Sequence, residues 1–198
     1  MTARLAFAAA LAAAMFGLGQ AQAAELFFTE TTTASGSLNG VAFTNKLITF
    51  SGAADTSNIF SLAPGASDLD VPLSVTVQGL GTAHFTDEMI VFGTPIGVVH
   101  SVGFTDRTLK QGLLNIVLPS TSYDLSTPFG PVTGTTGIPK PLTFATDDGA
   151  FVISGTPLSV TFQAVLAPVP EPSTWLMMIG GLGMLGATLR RRRTPALA

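Results

Sequence analysis

Two histidines and several acidic residues are the side chains in this 198-residue sequence that could perform acid–base or metal chemistry. His84 and His100 each lie in an alternating, strand-like pattern, where a single histidine is usually a structural or surface residue. A Ser–His–Asp arrangement could be assembled from them, but the many serines allow too much choice for the spacing to support one. The sequence has no nucleophile elbow, H-E-x-x-H helix, phosphate-binding loop or dinucleotide fingerprint. We therefore predict no catalytic residue.

Two acidic clusters could offer oxygen ligands to calcium, namely Asp68-Leu69-Asp70 and Asp147-Asp148-Gly149. Neither has the D-x-[DN]-x-[DN]-G spacing of a helix–loop–helix calcium site, and turn-forming acids explain both more simply. The chain has no cysteine, which excludes thiol catalysis, thiolate metal sites and disulfides. We predict neither a metal site nor a cofactor.

Hydroxyl side chains are the distinctive ingredient of the sequence between residues 24 and 168, which contains 22 Thr and 13 Ser. Threonine is a good exposed strand residue, and that is the first interpretation. The hydroxyls could instead carry glycans, or rows of threonine could bind ice. The threonine spacing is irregular and a flat, repeated T-x-T ladder is absent, so the ice-binding interpretation has no support.

Alternating apolar and polar residues indicate the elements that must position these side chains. The segments Leu73–Val77 and Leu158–Leu166 alternate with a period of two, as half-buried strands do. Turn-forming residues separate further segments of this kind. These further predicted strands are Leu26–Thr32, Val41–Phe50, Ser57–Leu62, Ala83–Phe92, Gly97–Phe104, Leu113–Leu118 and Ala150–Ser154. The pattern predicts an all-β fold, an antiparallel β-sandwich or jelly-roll-like domain.

The segment from Pro119 to Pro141 contains five prolines and several glycines. It predicts a long loop with room for one short strand. Long loops in compact domains are often functional, so this loop is a candidate binding surface. The alternative is that the loop is poorly ordered and has no binding role.

The first 23 residues have the order of a secretory signal peptide: a cation at Arg4, an apolar run, and the small residues Ala21 and Ala23 before the cleavage point. We expect a signal-peptide helix here and cleavage after Ala23. An uncleaved anchor helix is the alternative.

Residues 24–168 contain eleven acidic and four basic residues, which gives this part of the chain a formal net charge of −7. Nucleic-acid phosphates require a basic surface, so this balance argues against a nucleic-acid partner. It also argues against adhesion to anionic lipid.

The C-terminal segment combines a proline motif, an apolar run and a basic cluster. Residues 175–189 carry no charge and predict a short transmembrane helix, with the cluster Arg190, Arg191, Arg192 and Arg193 held on the cytoplasmic side. The alternating prolines before this run keep the backbone extended. An extended backbone suits a protease cleavage site, and it also suits a stiff linker between a domain and a membrane segment.

These three parts, in this order and spacing, resemble the PEP-CTERM protein-sorting signal. The residues that carry the resemblance are Val169, Pro170, Glu171, Pro172, Ser173, Thr174 and Trp175. The resemblance implies a Gram-negative bacterium that makes extracellular polysaccharide. It also implies recognition by an exosortase, a membrane protease-transpeptidase that acts near Pro170. The resemblance covers only the last thirty or so residues.

We therefore predict a signal peptide at 1–23, an extracytoplasmic β domain at 24–167 and a sorting segment at 168–198. The protein is expected to pass the inner membrane, to be anchored transiently through residues 175–189, and to reach the outer envelope or the outside. The predicted function is that of a non-enzymatic surface or biofilm-matrix component, with exosortase and exopolysaccharide as partners. The alternatives are a secreted hydrolase without a recognisable motif and a carbohydrate- or ice-binding module.

Overall fold

The computed structural model describes residues 25–97, 99–107, 111–118, 122–136, 141–154, 159–167 and Ile179. Its described residues form twelve strands and one short 3-10 turn, Thr56–Asn58. The strands are β1 (Glu25–Leu38), β2 (Val41–Asp55), β3 (Ser67–Asp70), β4 (Ser74–Val77), β5 (Gly81–His84), β6 (Met89–Ile96), β7 (Val99–Asp106), β8 (Gln111–Leu118), β9 (Phe129–Gly134), β10 (Leu142–Thr146), β11 (Gly149–Ser154) and β12 (Val160–Leu166).

The strands form two antiparallel sheets. The larger has eight strands in the order β10-β11-β1-β2-β4-β5, with β12 also paired to β1 and β9 paired to β12. The smaller has four strands in the order β3-β6-β7-β8. Strand β1 holds the larger sheet together, since its first half pairs with β12 and its second half with β11.

One hydrophobic core lies between the sheets. Alternation along β1 and β2 sends Phe28 and Phe50 inward, and both are fully buried. Phe162 of the larger sheet meets Phe104 of the smaller sheet with ring centroids 6.4 Å apart. The prediction of an all-β, antiparallel, sandwich-like domain is confirmed, and the Phe104–Phe162 pair is an aromatic contact between its two layers.

Several strand boundaries differ from the predicted ones. Residues 57–62, predicted as a strand, form the end of the 3-10 turn and an irregular segment with a single bridge from Phe60 to Asp68. Residues 83–92, predicted as one strand, divide into β5 and β6, which belong to different sheets. The acidic segment Asp68–Asp70, interpreted as a turn, lies within strand β3, because backbone pairing with β6 outweighs its low strand propensity.

The region predicted as a long loop contains strand β9, which fits the single short strand allowed for it, and strand β10 begins directly after it at Leu142. Tyr123 lies in the connection before β9, buried, with its hydroxyl donating to the carbonyl of Thr127 at 2.7 Å. Burial raises the pKa of this phenol, and the Asp124 charge adds to the effect.

The chain divides into two compact units, residues 1–167 and 168–198. The predicted signal-peptide helix at 1–23 lies outside the described residues, as does the predicted transmembrane helix apart from Ile179, which is helical and exposed. Within the described part of the chain, no helix has the length and hydrophobicity to cross a membrane.

Candidate functional site

The two histidines lie in different sheets. His84 is on β5 at one edge of the larger sheet, and His100 is half-buried on β7 of the smaller sheet between Pro95 and Leu118. His84 Nδ1 lies 3.1 Å from Asp147 Oδ2, and the His84 backbone N–H donates to Asp147 Oδ1 at 2.7 Å. This contact closes the turn between β10 and β11 against the end of β5.

The His84–Asp147 pair is a surface contact. The two side chains are 68% and 55% exposed. The bond from the His84 backbone N–H is the main reason that the pKa of Asp147 is lowered, and the histidine side chain adds a smaller effect. An exposed pair lacks the water exclusion that strengthens electrostatic catalysis.

Ser74 lies directly across from His84 in the sheet, so a serine, a histidine and an aspartate are neighbours. The Ser74 hydroxyl donates to the Ser51 carbonyl at 3.0 Å, and the two serine hydroxyls are 3.2 Å apart. Nucleophilic catalysis requires the serine to be hydrogen-bonded to the histidine, and here Ser74 is bonded to Ser51 instead. The expectation that the protein is not an enzyme is not tested by this arrangement and stays a prediction.

The acids of β3 have structural partners. Asp68 is buried and accepts a hydrogen bond from the Leu62 N–H at 2.8 Å, which holds the connection from β2 against the smaller sheet. Asp70 accepts two hydrogen bonds from Arg107 Nη1 at 2.9 and 3.1 Å. The Arg107 guanidinium lies 4.9 Å above the centre of the Phe60 ring, a cation–π contact. Sequence distance hid the pairing of Asp70 with Arg107, since it forms only when β3 and β7 enter the same sheet.

A cavity of about 620 Å³ lies on the side of the smaller sheet that faces away from the core. Its largely apolar lining includes Ile90 and Phe92 of β6, and the charged residues in it are Asp68, Asp106 and Arg107. A second cavity of about 390 Å³ lies around Asp70 and Arg107. Neither of these two cavities is lined by His84 or His100.

The outer face of the larger sheet carries a row of threonines that runs across six strands. Each residue is directly paired with the next, so all point to the same face. We call this row the threonine rank; from β9 to β5 it consists of Thr133, Thr161, Thr31, Thr49, Thr76 and Thr82.

A second polar row lies beside the threonine rank on the same face, two residues along each strand. From β12 to β5 it consists of Gln163, Thr29, Ser51, Ser74 and His84. At its two ends the threonine rank is tied by hydroxyl pairs: Thr133 and Thr161 are 2.8 Å apart, and Thr76 and Thr82 are 2.7 Å apart. This surface could not be predicted from the sequence, because its repeat runs across the sheet and not along the chain.

The described residues contain no group of three or more His, Asp or Glu side chains placed to hold a metal ion. The sorting residues Val169–Trp175 and Arg190–Arg193, and the cleavage residues Ala21 and Ala23, lie outside the described residues.

The described strands end at Leu166, and the segment that follows carries the three features of a sorting signal. A β domain followed by such a segment defines the class of an exported protein that is anchored transiently through its C-terminus. The comparison with protein families is specific for this segment: residues 168–193 match the PEP-CTERM protein-sorting motif.

The chain therefore carries a PEP-CTERM sorting signal, as its sequence predicted, and this signal is the one that exosortases recognise. The match leaves the β domain unassigned. No curated protein and no solved structure matches the chain.

Proposed function

We propose that this protein is a non-enzymatic component of the cell surface or extracellular matrix, associated with exopolysaccharide and released by exosortase from a transient membrane anchor. The observation that carries the proposal is the PEP-CTERM motif at residues 168–193, placed directly after the last strand of the β domain. A sorting motif in that place makes the upstream β domain the part of the protein that is exported and released.

The chemistry of the β domain supports a binding role. The His84–Asp147 pair is exposed, and the Ser74 hydroxyl is bonded away from it. By contrast, an extended surface of uncharged hydrogen-bonding groups crosses the larger sheet. Such a surface suits contact with a hydrated polymer better than conversion of a small substrate, which requires an enclosed pocket with convergent polar groups.

The test is the intact mass and the location of the mature protein, produced in its host with and without exosortase activity. We expect a chain that ends near Pro170, found outside the inner membrane only when the enzyme is active, and enriched in the exopolysaccharide fraction. A mature chain that keeps Arg190–Arg193 would contradict the proposal, because the tail would then be a permanent anchor.

A further inference from the structure

The residues of the threonine rank carry no carboxylate, ammonium or guanidinium group, and the polar row beside it meets a carboxylate at its β5 end, where His84 contacts Asp147. The rank crosses six strands, and strands lie about 4.8 Å apart, so it extends for about 24 Å. Surfaces of charged residues select charged partners, whereas a row of neutral hydroxyls matches a neutral partner rich in hydroxyl groups. The balance of −7 in the surrounding domain adds repulsion against polyanions.

The two hydroxyls at the centre of the threonine rank are available to hydrogen-bond a ligand. Thr31 and Thr49 are directly paired, yet their hydroxyls make no hydrogen bond with any described residue. The flanking pair Thr76–Thr82 is bonded, and such a pair consumes only one of its two hydroxyl protons. The rank can therefore donate and accept hydrogen bonds along its whole length.

The geometry favours a chain over a flat lattice. Neighbouring strands are rotated by about 20–25° from one another, so the side chains of the rank turn gradually around the line that crosses the sheet. A linear polymer can follow that line, with hydroxyls repeating on the scale of one sugar unit. A rigid plane, such as the surface of an ice crystal, would meet only a few of the threonines.

We propose that the threonine rank is a binding site for a neutral polysaccharide chain, which lies across the strands of the larger sheet and is hydrogen-bonded at its centre by Thr31 and Thr49. This assignment rests on the proposed function and adds to it the class of polymer and the surface that holds it.

The test is electrophoresis of the mature exported protein in native gels that contain a polysaccharide. The probes are the neutral glucans dextran and hydroxyethylcellulose, with alginate as an anionic comparison. We expect a neutral glucan to retard the protein, alginate to have no effect, and Thr31→Val/Thr49→Val to weaken the apparent affinity about tenfold through the loss of two hydroxyls. The matched control is Thr143→Val, an exposed strand threonine of the same sheet outside the rank, which should bind normally.

A second pair of variants keeps the test decisive if the double variant misfolds. Thr49→Ser retains the hydroxyl and should bind, whereas Thr49→Val removes it and should bind more weakly. The proposal is overturned if neither glucan retards the protein, if alginate alone does, or if valine at these positions leaves retardation unchanged. Thermal hysteresis without retardation would assign the surface to ice instead.

The two proposals fail in different ways. A chain that is processed near Pro170 and exported, but ignores both glucans, keeps the proposed function and loses the binding site. A chain that keeps its arginine tail loses the proposed function, whatever the gels show.

Discussion

Asp147 shows how one carboxylate can fix the edge of a sheet. Its pKa is lowered chiefly by the hydrogen bond from the His84 backbone N–H, which an alanine at position 84 would also supply. We therefore predict that in His84→Ala the pKa of Asp147 stays below the ordinary value of 3.8. The measurement is the carboxyl carbon chemical shift of Asp147 during an acid titration.

The sign of the accompanying stability effect is fixed by linkage. A carboxyl with a lowered pKa in the folded state stabilises the fold above its unfolded pKa and loses that contribution as the pH falls through the folded value. Asp147→Asn should remove this acid dependence, with Asp148→Asn as the neighbouring control. An Asp147 pKa that returns to its ordinary value in His84→Ala would show that the imidazole, and not the backbone, holds the carboxylate.

Gly93 marks a close approach of two chain segments. A Cβ at this position would lie 2.2 Å from the Tyr123 carbonyl oxygen, and a backbone atom cannot move away cheaply. We predict that Gly93→Ala lowers the free energy of unfolding by about 1–3 kcal/mol, as overpacking does. Urea denaturation checks this, with Ser67→Ala as control, since Ser67 is paired with Gly93 on the adjacent strand. Equal unfolding midpoints for the two variants would contradict the close approach.

At the scale of elements, Phe162 joins β12 to both sheets. Its ring lies 6.4 Å from Phe28 in its own sheet and 6.4 Å from Phe104 in the other, between ring centroids. We predict that Phe162→Ala lowers the free energy of unfolding by about 3–5 kcal/mol, because a buried aromatic side chain leaves a cavity that the sheets cannot close.

The matched control for that variant is Val165→Ala on the same strand, where the side chain is 37% exposed on the outer face. Its effect should stay within about 0.5 kcal/mol, as is usual for surface positions. Chemical denaturation of both variants measures the difference. A small effect at Phe162 would mean that β12 does not carry the contact between the sheets.

Strand propensity and pairing disagree most clearly at β3. Its sequence, Ser67-Asp68-Leu69-Asp70, predicts a turn, since aspartate is depleted in strands. The strand exists because its backbone pairs with β6, and its two carboxylates have partners as well: the Leu62 N–H for Asp68 and, 37 residues away, the Arg107 guanidinium for Asp70. No local rule could find it. The predicted segments Leu26–Thr32 and Val41–Phe50 do lie within β1 and β2, but the two strands continue beyond them to Leu38 and Asp55.

At the scale of the whole molecule, the cluster Arg190–Arg193 should decide how the C-terminus is handled. Arginines that stay in the cytoplasm orient the preceding apolar segment, which places the proline motif on the far side for processing. We predict that replacing all four arginines with glutamine reduces processing, so that the intact chain accumulates. Mass spectrometry of the cell envelope fraction measures this.

The control for that variant is Lys46→Gln, which removes an exposed cation from β2 and should leave processing unchanged. Efficient release of the four-glutamine variant would show that the apolar run and the proline motif suffice by themselves.

By itself the sequence determined the fold class and the sorting signal. Period-two alternation follows from strand geometry, and the proline motif, apolar run and arginines are contiguous, so both could be recognised without tertiary contacts. Only the tertiary structure decided which hydroxyls share a surface. Thr31 and Thr161 are 130 residues apart yet directly paired, because the register between β1 and β12 joins them. Such registers, set by core packing, turn an irregular scatter of threonines into a rank across the sheet.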